Sequence, residues 1–195
     1  MISQVKIIKS DILSDNWYTL RKLTYEYVKK DGSVQVQTRE AYDRGNGAVI
    51  LLFNREKQTV ILTRQFRLPT FINGNPTGML IEACAGLLDK DNPEDCIRRE
   101  TEEETGYKIK DVQKILEAYM SPGSVTEILY FFIAEYSPLM KTGAGGGVAK
   151  EEENIEVLEL DFKAALTMVE TNEIKDAKTI MLIQYITLHN ILKVP

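Results

Sequence analysis

Between Gly86 and Tyr107 the chain spells out a helix together with both of its ends: GLLDKDNPEDCIRRETEEETGY. Asn92 is a good N-cap residue, and Pro93 suits the first helical position, where a missing N–H is harmless. Glu94 and Asp95 favour the positive end of the helix dipole, and Gly106 suits the left-handed position that closes the other end. The spacing predicts a helix from Pro93 to Glu104. Glu100, Glu103 and Glu104 share one side of it, because residues three and four apart are neighbours, while Glu102 points elsewhere. Like charges so placed oppose a helix by about 0.2–0.5 kcal/mol per pair. Two readings follow. Either the face is simply acidic and solvated, or it holds a hard divalent cation such as Mg2+ together with phosphate oxygens. Arg98 and Arg99 are placed to neutralise or orient the carboxylates.

Around this helix the chain mixes strands and helices. Val5 to Leu13 and Trp17 to Val28 carry alternating apolar positions. The turn Lys30-Asp31-Gly32-Ser33 then predicts a hairpin with Val34 to Tyr42. Arg44-Gly45-Asn46-Gly47 breaks the pattern, so residues 1–45 form a β region too small to stand alone. Ala48 to Phe53 and Thr59 to Gln65 read as buried strands, Phe71 to Gly78 as a loop and Leu80 to Cys84 as a short strand. Further strands are expected at Val112 to Tyr119, Ile128 to Glu135 and Ile155 to Leu160, and helices at Asp161 to Glu170 and Ala177 to Leu192. Without a regular strand–helix alternation, the expected class is α+β with a mixed sheet, residues 46–195 being the main domain.

A chain of 195 residues, 44% hydrophobic and 27% charged, can bury a core without disulfides or a structural metal. Its 24 Lys and Arg against 29 Asp and Glu, net charge -5, exclude sequence-independent nucleic-acid binding, which needs a basic face. Cys84 and Cys96 lack metal-ligand spacing and read as small core residues. His189, the single histidine, excludes any mechanism that needs two and is expected to be exposed and without a role. The longest apolar runs fall far short of the roughly 20 residues of a membrane helix, and residues 1 to 20 carry charges throughout. A soluble, cytoplasmic protein is expected. Lys141 to Gly147 is flexible by composition and Lys150 to Asn154 acidic, which fits a solvated loop or a lid presented by a rigid scaffold.

Through Gly86, Arg99, Glu100, Glu103, Glu104, Gly106 and Tyr107 the helix segment resembles the Nudix box, Gly-x5-Glu-x7-Arg-Glu-U-x-Glu-Glu-x-Gly-U with U apolar. It departs from that pattern in three places. Gly86 to Arg99 is one residue short, Asn92 or Asp91 stands where the first Glu belongs, and Thr101 takes an apolar position. The likeness runs over nearly the whole chain to the ADP-ribose and nucleoside-diphosphate-sugar pyrophosphatase branch of the Nudix family. It is carried by Tyr42-Asp43-Arg44-Gly45-Asn46-Gly47-Ala48, Arg64-Gln65-Phe66-Arg67, Glu82-Ala83-Cys84-Ala85-Gly86, Tyr119-Met120-Ser121-Pro122-Gly123 and Ala144-Gly145-Gly146-Gly147-Val148. The resemblance implies a Nudix α/β/α sandwich, a homodimer with exchanged N-terminal β regions, and no nucleic-acid or membrane partner. It also implies hydrolysis of a nucleoside-diphosphate sugar with two or more Mg2+ ions, for which Mn2+ may stand in. GDP-mannose, giving GMP and mannose 1-phosphate, is the first substrate and ADP-ribose the second. A non-catalytic module that senses a nucleotide sugar is the alternative of another class, against which all three box glutamates stand.

By the same resemblance, Glu100, Glu104 and the backbone carbonyl of Ala85 would hold Mg2+, with Glu103 acting directly or through water and Glu153 joining from the acidic loop. A base must take the attacking water's proton; Glu153 is the first candidate and Glu127 the second. Arg67 would pair with phosphate, to which the planar guanidinium fork is suited. Trp17 would stack on the base with Thr38, Arg39 and Glu40 nearby, contributed by the partner chain. Ala85, Gly86, Leu87, Glu104, Glu127, Glu152 and Lys178 would complete the pocket. Taken singly, Trp17 also reads as a packing residue, Arg39 as a surface charge and Lys178 as a charge at a helix terminus.

Overall fold

A computed structural model describes residues 5–148 and 154–193, in two compact units. The first unit draws on residues 5–46 and 119–128. Its strands β1 (Val5–Asp15), β2 (Thr19–Val28) and β3 (Val34–Asp43) form an antiparallel sheet in that order. The Asp-Gly turn closes as its sequence predicts: Asp31 Oδ1 accepts the Ser33 N–H at 2.9 Å, and Gly32 takes φ +82°. Two irregularities in β1, between Ile7 and Lys9 and between Ile12 and Ser14, shift its register against β2. The 119–128 segment docks on the end of β3, with the Tyr42 N–H donating to Ser124 O at 2.8 Å and the Thr126 N–H to Tyr42 O at 3.1 Å.

The second unit is built on a mixed sheet. Its strands are β4 (Gly47–Asn54), β5 (Thr59–Phe66), β6 (Met79–Glu82), β7 (Cys84–Leu87), β8 (Gln113–Tyr119), β9 (Ile128–Glu135) and β10 (Glu156–Asp161). The helices are α1 (Leu68–Ile72), α2 (Pro93–Thr105), α3 (Phe162–Glu170) and α4 (Ala177–Leu188). The sheet runs β10-β5-β4-β9-β8, with β4 and β9 parallel, so the class is α+β with a mixed sheet. β4 is buried along its whole length. Ala48, Ile50 and Leu52 pack with Cys96 and Ile97 of α2, and their alternate neighbours face the other side.

Three local expectations change. The strand expected at Leu80 to Cys84 is two strands, because β4 and β5 pair only over Leu52–Asn54 and Thr59–Ile61. Beyond that point β6 pairs with β5 and β7 with β4, and the chain crosses at Ala83. The loop expected at Phe71 to Gly78 begins inside α1, which Asn73 and Gly74 (φ +91°) end. The last helix stops at Leu188, where His189 caps it and Asn190 turns at φ +50°.

Candidate active site

Helix α2 is held at both ends by the residues its sequence offered. Asn92 Oδ1 accepts the N–H groups of Glu94 and Asp95 at 3.1 and 3.0 Å, so the residue that departs from the box pattern is the helix cap. At the other end Gly106 takes φ +75°. The glycine-rich segment does not hang free there. The Gly146 and Gly147 N–H groups donate to the carbonyls of Glu104 and Glu103 at 2.8 and 3.2 Å, and the Thr142 N–H to Gly106 O at 2.8 Å. These are the carbonyls that a helix leaves without internal partners. A Cβ on Gly145 would come within 2.5 Å of Glu104 O, so glycine is needed for this approach.

The three box carboxylates lie at different depths: Glu104 is buried, Glu100 nearly so and Glu103 half-exposed. Arg99 Nη1 bridges two of them, 2.9 Å from Glu100 Oε1 and 3.1 Å from Glu103 Oε2, which offsets their repulsion. Burial opposes the charge on Arg99, but Glu100 and Glu103 outweigh it and hold its pKa above the ordinary value. Arg98 instead pairs with Glu94 and Asp95 at the start of the helix. Glu100 lies flat against β7: a Cβ on Gly86 would stand 2.2 Å from its Cδ. Burial, and then the Glu104 carboxylate, push the Cys84 thiol up well above its usual range. Hard carboxylate oxygens gathered on one helix face, over a strand kept bare by glycine, are a donor set that fits a divalent cation. Among the described residues no three His, Cys, Asp or Glu side chains stand ready as a ligand cage, Arg99 being drawn between Glu100 and Glu103.

A second cluster sits on the same unit. Arg67, which precedes α1, donates from Nε to Glu82 Oε2 at 2.6 Å. Lys178, in the first turn of α4, donates to the other Glu82 oxygen and to Asp176 Oδ1 at 2.9 Å. Burial would raise the Glu82 pKa, yet Lys178 and Arg67 together hold it below the ordinary carboxylate value. Burial likewise opposes the Arg67 charge, while Glu82 and then Glu104 favour it, so the field of the box helix reaches this arginine. The sequence reading named Arg67 and Lys178 but missed Glu82. Its signal was a carboxylate inside the apolar run Leu80-Ile81-Glu82-Ala83-Cys84, where a charge needs a partner.

The remaining predicted residues are placed as follows. Ala85 and Leu87 sit in β7 opposite Val49 and Gly47 of β4, and Leu87 O accepts the Cys96 thiol at 3.2 Å. On the first unit Arg39 and Glu40 line an open cleft of ≈ 690 Å³ with Tyr25, Tyr119, Pro122 and Thr126. Thr38 is outside that lining, its hydroxyl 3.3 Å from that of Thr24. Trp17 is 84% exposed in the β1–β2 connection, edge-on to Tyr18. Glu127 is buried, 3.6 Å from Arg44 Nε. Glu152 and Glu153 lie outside the described residues.

A mixed sheet whose glycine-bared strand lies under an Arg-Glu-x-x-Glu-Glu helix is the arrangement of a Nudix domain, and the NUDIX domain family matches residues 43–182. The chain belongs to the Nudix family. Residues 4–42 match the family described as GDP-mannose pyrophosphatase NudK N-terminal domain. The GDP-mannose pyrophosphatase of Escherichia coli O157:H7 is 56% identical over 192 residues, 98% of this chain and 100% of its own length. That of Shigella dysenteriae serotype 1 is 56% identical over the same share, and that of Escherichia coli O9:H4 is 58% identical over 186 residues, 95% and 96% of the two chains. Nudix proteins typically depend on a divalent metal. Among the described residues no helix is long and apolar enough to cross a membrane.

Proposed function

We propose that this chain hydrolyses the diphosphate bond of GDP-mannose, releasing GMP and mannose 1-phosphate, with two or more Mg2+ ions for which Mn2+ can substitute. The observation that carries the reading is the acidic face of α2 on the same unit as Arg67, whose positive charge the Glu82 and then the Glu104 carboxylates favour. One group could thus hold cations on a diphosphate while the other takes the phosphate oxygens directly. The full-length likeness to GDP-mannose pyrophosphatases supports the choice of substrate. Glu100, Glu104 and the Ala85 carbonyl would hold the metal. When bound, it would neutralise the diphosphate and lower the pKa of the attacking water. Arg67 offers its guanidinium fork to a phosphate, and Lys178 adds a point charge beside it. Glu103, half-exposed, would join the metal's ligands directly or through water, and Glu153 or Glu127 would take the water's proton.

The N-terminal sheet supports a homodimer in which that sheet serves the partner's site. Val5, Ile7 and Ile12 on one face of the sheet and Val34 and Val36 on the other are each more than half exposed, apolar surface of the kind that contacts cover. Trp17, Thr38, Arg39 and Glu40 would then read the base. Both thiols are free and buried, which suits a reducing, cytoplasmic setting.

The test is to follow products from GDP-mannose and from ADP-ribose, with and without Mg2+, for the wild type and Glu104→Gln. We expect Mg2+-dependent GMP and mannose 1-phosphate, reduced at least about 100-fold in the variant. Turnover of ADP-ribose alone would keep the chemistry and overturn the substrate. Tight binding of both with turnover of neither would make the chain a sensor.

A further inference from the structure

Glu82 is a carboxylate at the inner end of a strand, 3% exposed, where packing alone would favour an apolar side chain. It is shared by two cations from distant parts of the chain: Arg67 at the end of β5 and Lys178 in the first turn of α4. Lys178 is tied in turn to Asp176, whose Oδ2 accepts the Thr179 N–H at 3.0 Å and so caps α4. The Thr179 hydroxyl accepts the Ala83 N–H at 2.7 Å, next to Glu82. Two anions and two cations thus form a neutral chain, Arg67–Glu82–Lys178–Asp176, joining the β6–β7 crossing to α4. Within it the two inner carboxylates are nearly covered, while the Arg67 side chain keeps 41% of its surface exposed. The Glu82 bond uses Nε, one of five guanidinium donors, and leaves the η nitrogens for a second acceptor.

We propose that Glu82 is a positioning residue for the diphosphate, holding Arg67 by Nε and Lys178 beside it so that both cations meet the substrate's phosphates already aimed. This rests on the hydrolase reading above, in which Arg67 takes phosphate. Preorganised cations bind an anion without the cost of ordering two long side chains at that moment. The role makes a prediction opposite in sign to simple electrostatics. Glu82→Gln removes a negative charge from beside the phosphate site, so if Glu82 merely balanced charge, an anionic ligand would bind the variant more tightly. If Glu82 aims the cations, binding weakens despite the more positive site.

The experiment measures GDP binding by calorimetry in the presence of Mg2+, and steady-state kinetics on GDP-mannose, for the wild type, Glu82→Gln, Glu82→Asp, Arg67→Lys and the Glu82→Gln/Arg67→Lys double variant. We expect Glu82→Gln to raise the GDP Kd and the KM about 10–100-fold, with a smaller fall in kcat. Arg67→Lys keeps the charge but loses the Nε–H, and should show a similar loss that is not additive with the first. Glu82→Asp keeps the charge but is one methylene short; it should lie between, and it carries the same expectation should Glu82→Gln fail to fold. Unchanged or tighter GDP binding in the folded variants, or additive losses in the double variant, would overturn the positioning role. A wild type that turns over GDP-mannose with variants matching its KM overturns this role alone, whereas a wild type without turnover overturns the hydrolase reading and this role with it.

Discussion

A methyl group added at Gly86 would lie 2.2 Å from Glu100 Cδ and 2.3 Å from its Oε1. The obstructed atoms are the far end of a flexible side chain, so the fold can yield by turning Glu100 away, at a cost of about 1 kcal/mol. What is lost is the ligand's place. Gly86→Ala should therefore melt near the wild type while needing about 10–100-fold more Mn2+ for half-saturation, read by calorimetry. Glu82 has a different signature, visible in pH. Its carboxyl is held below the ordinary value of 4.5 in the folded chain, so above that pH both folded and unfolded chains are ionised and the stabilisation by its two ion pairs is complete. As pH falls through 4.5, the unfolded chain takes up the proton first and stability is lost toward the lower folded value. The gap in urea midpoint between the wild type and Glu82→Gln should stay constant near neutrality and narrow below pH 4.5. A gap that widens on acidification would contradict the depressed pKa.

At the scale of the element, α2 has two ends that do different work. Asn92→Ala removes the acceptor of two N–H groups and should cost about 1 kcal/mol, roughly 2–4 °C of melting temperature, without changing the metal requirement. Glu100, Glu103 and Glu104 lie toward the opposite end. Gly145→Ala meets backbone instead: its Cβ would stand 2.5 Å from Glu104 O and 2.6 Å from Thr105 C, at φ +73°. It should cost about 1–3 kcal/mol and raise the metal requirement as well, since the carbonyl it strikes belongs to a candidate ligand residue. Thermal melts and metal titrations on the two variants separate these roles. The ends of this helix were legible in the sequence because caps act within four residues of where they stand. The docking of Thr142 to Gly147 was not, because it depends on helix carbonyls meeting a segment some 40 positions later. The split of Leu80 to Cys84 into two strands was hidden for a similar reason, arising where β4 and β5 part. Glu82 was visible as a charge in an apolar run, but its two partners come from the β5–α1 junction and from α4, and only the fold brings them to it.

For the whole molecule, what the sequence could not show is the recruitment of 119–128 into the N-terminal unit, which rests on backbone bonds between Tyr42, Ser124 and Thr126. That recruitment makes the Arg39–Glu40 cleft, since six of its ten lining residues come from the recruited segment. The sheet beside it carries the last prediction. Val34 and Val36, both 59% exposed, alternate along β3 with the same parity as Thr38 and Glu40, so all four share a face of the sheet. If that face meets a second copy of the chain and reads the base there, one substitution should affect assembly and turnover together. Val36→Lys places a charge where an apolar contact would form, and because Val36 is exposed it leaves the core untouched. We expect the wild type to sediment at twice the 22.2 kDa of the chain and the variant to shift toward the monomer on dilution, with its kcat/KM for GDP-mannose falling in step. A variant that is monomeric yet fully active would show that each copy reads the base unaided. One that stays dimeric would move the interface off this face, to the opposite face of the sheet, where the pairing through β2 places Val5, Ile7 and Ile12.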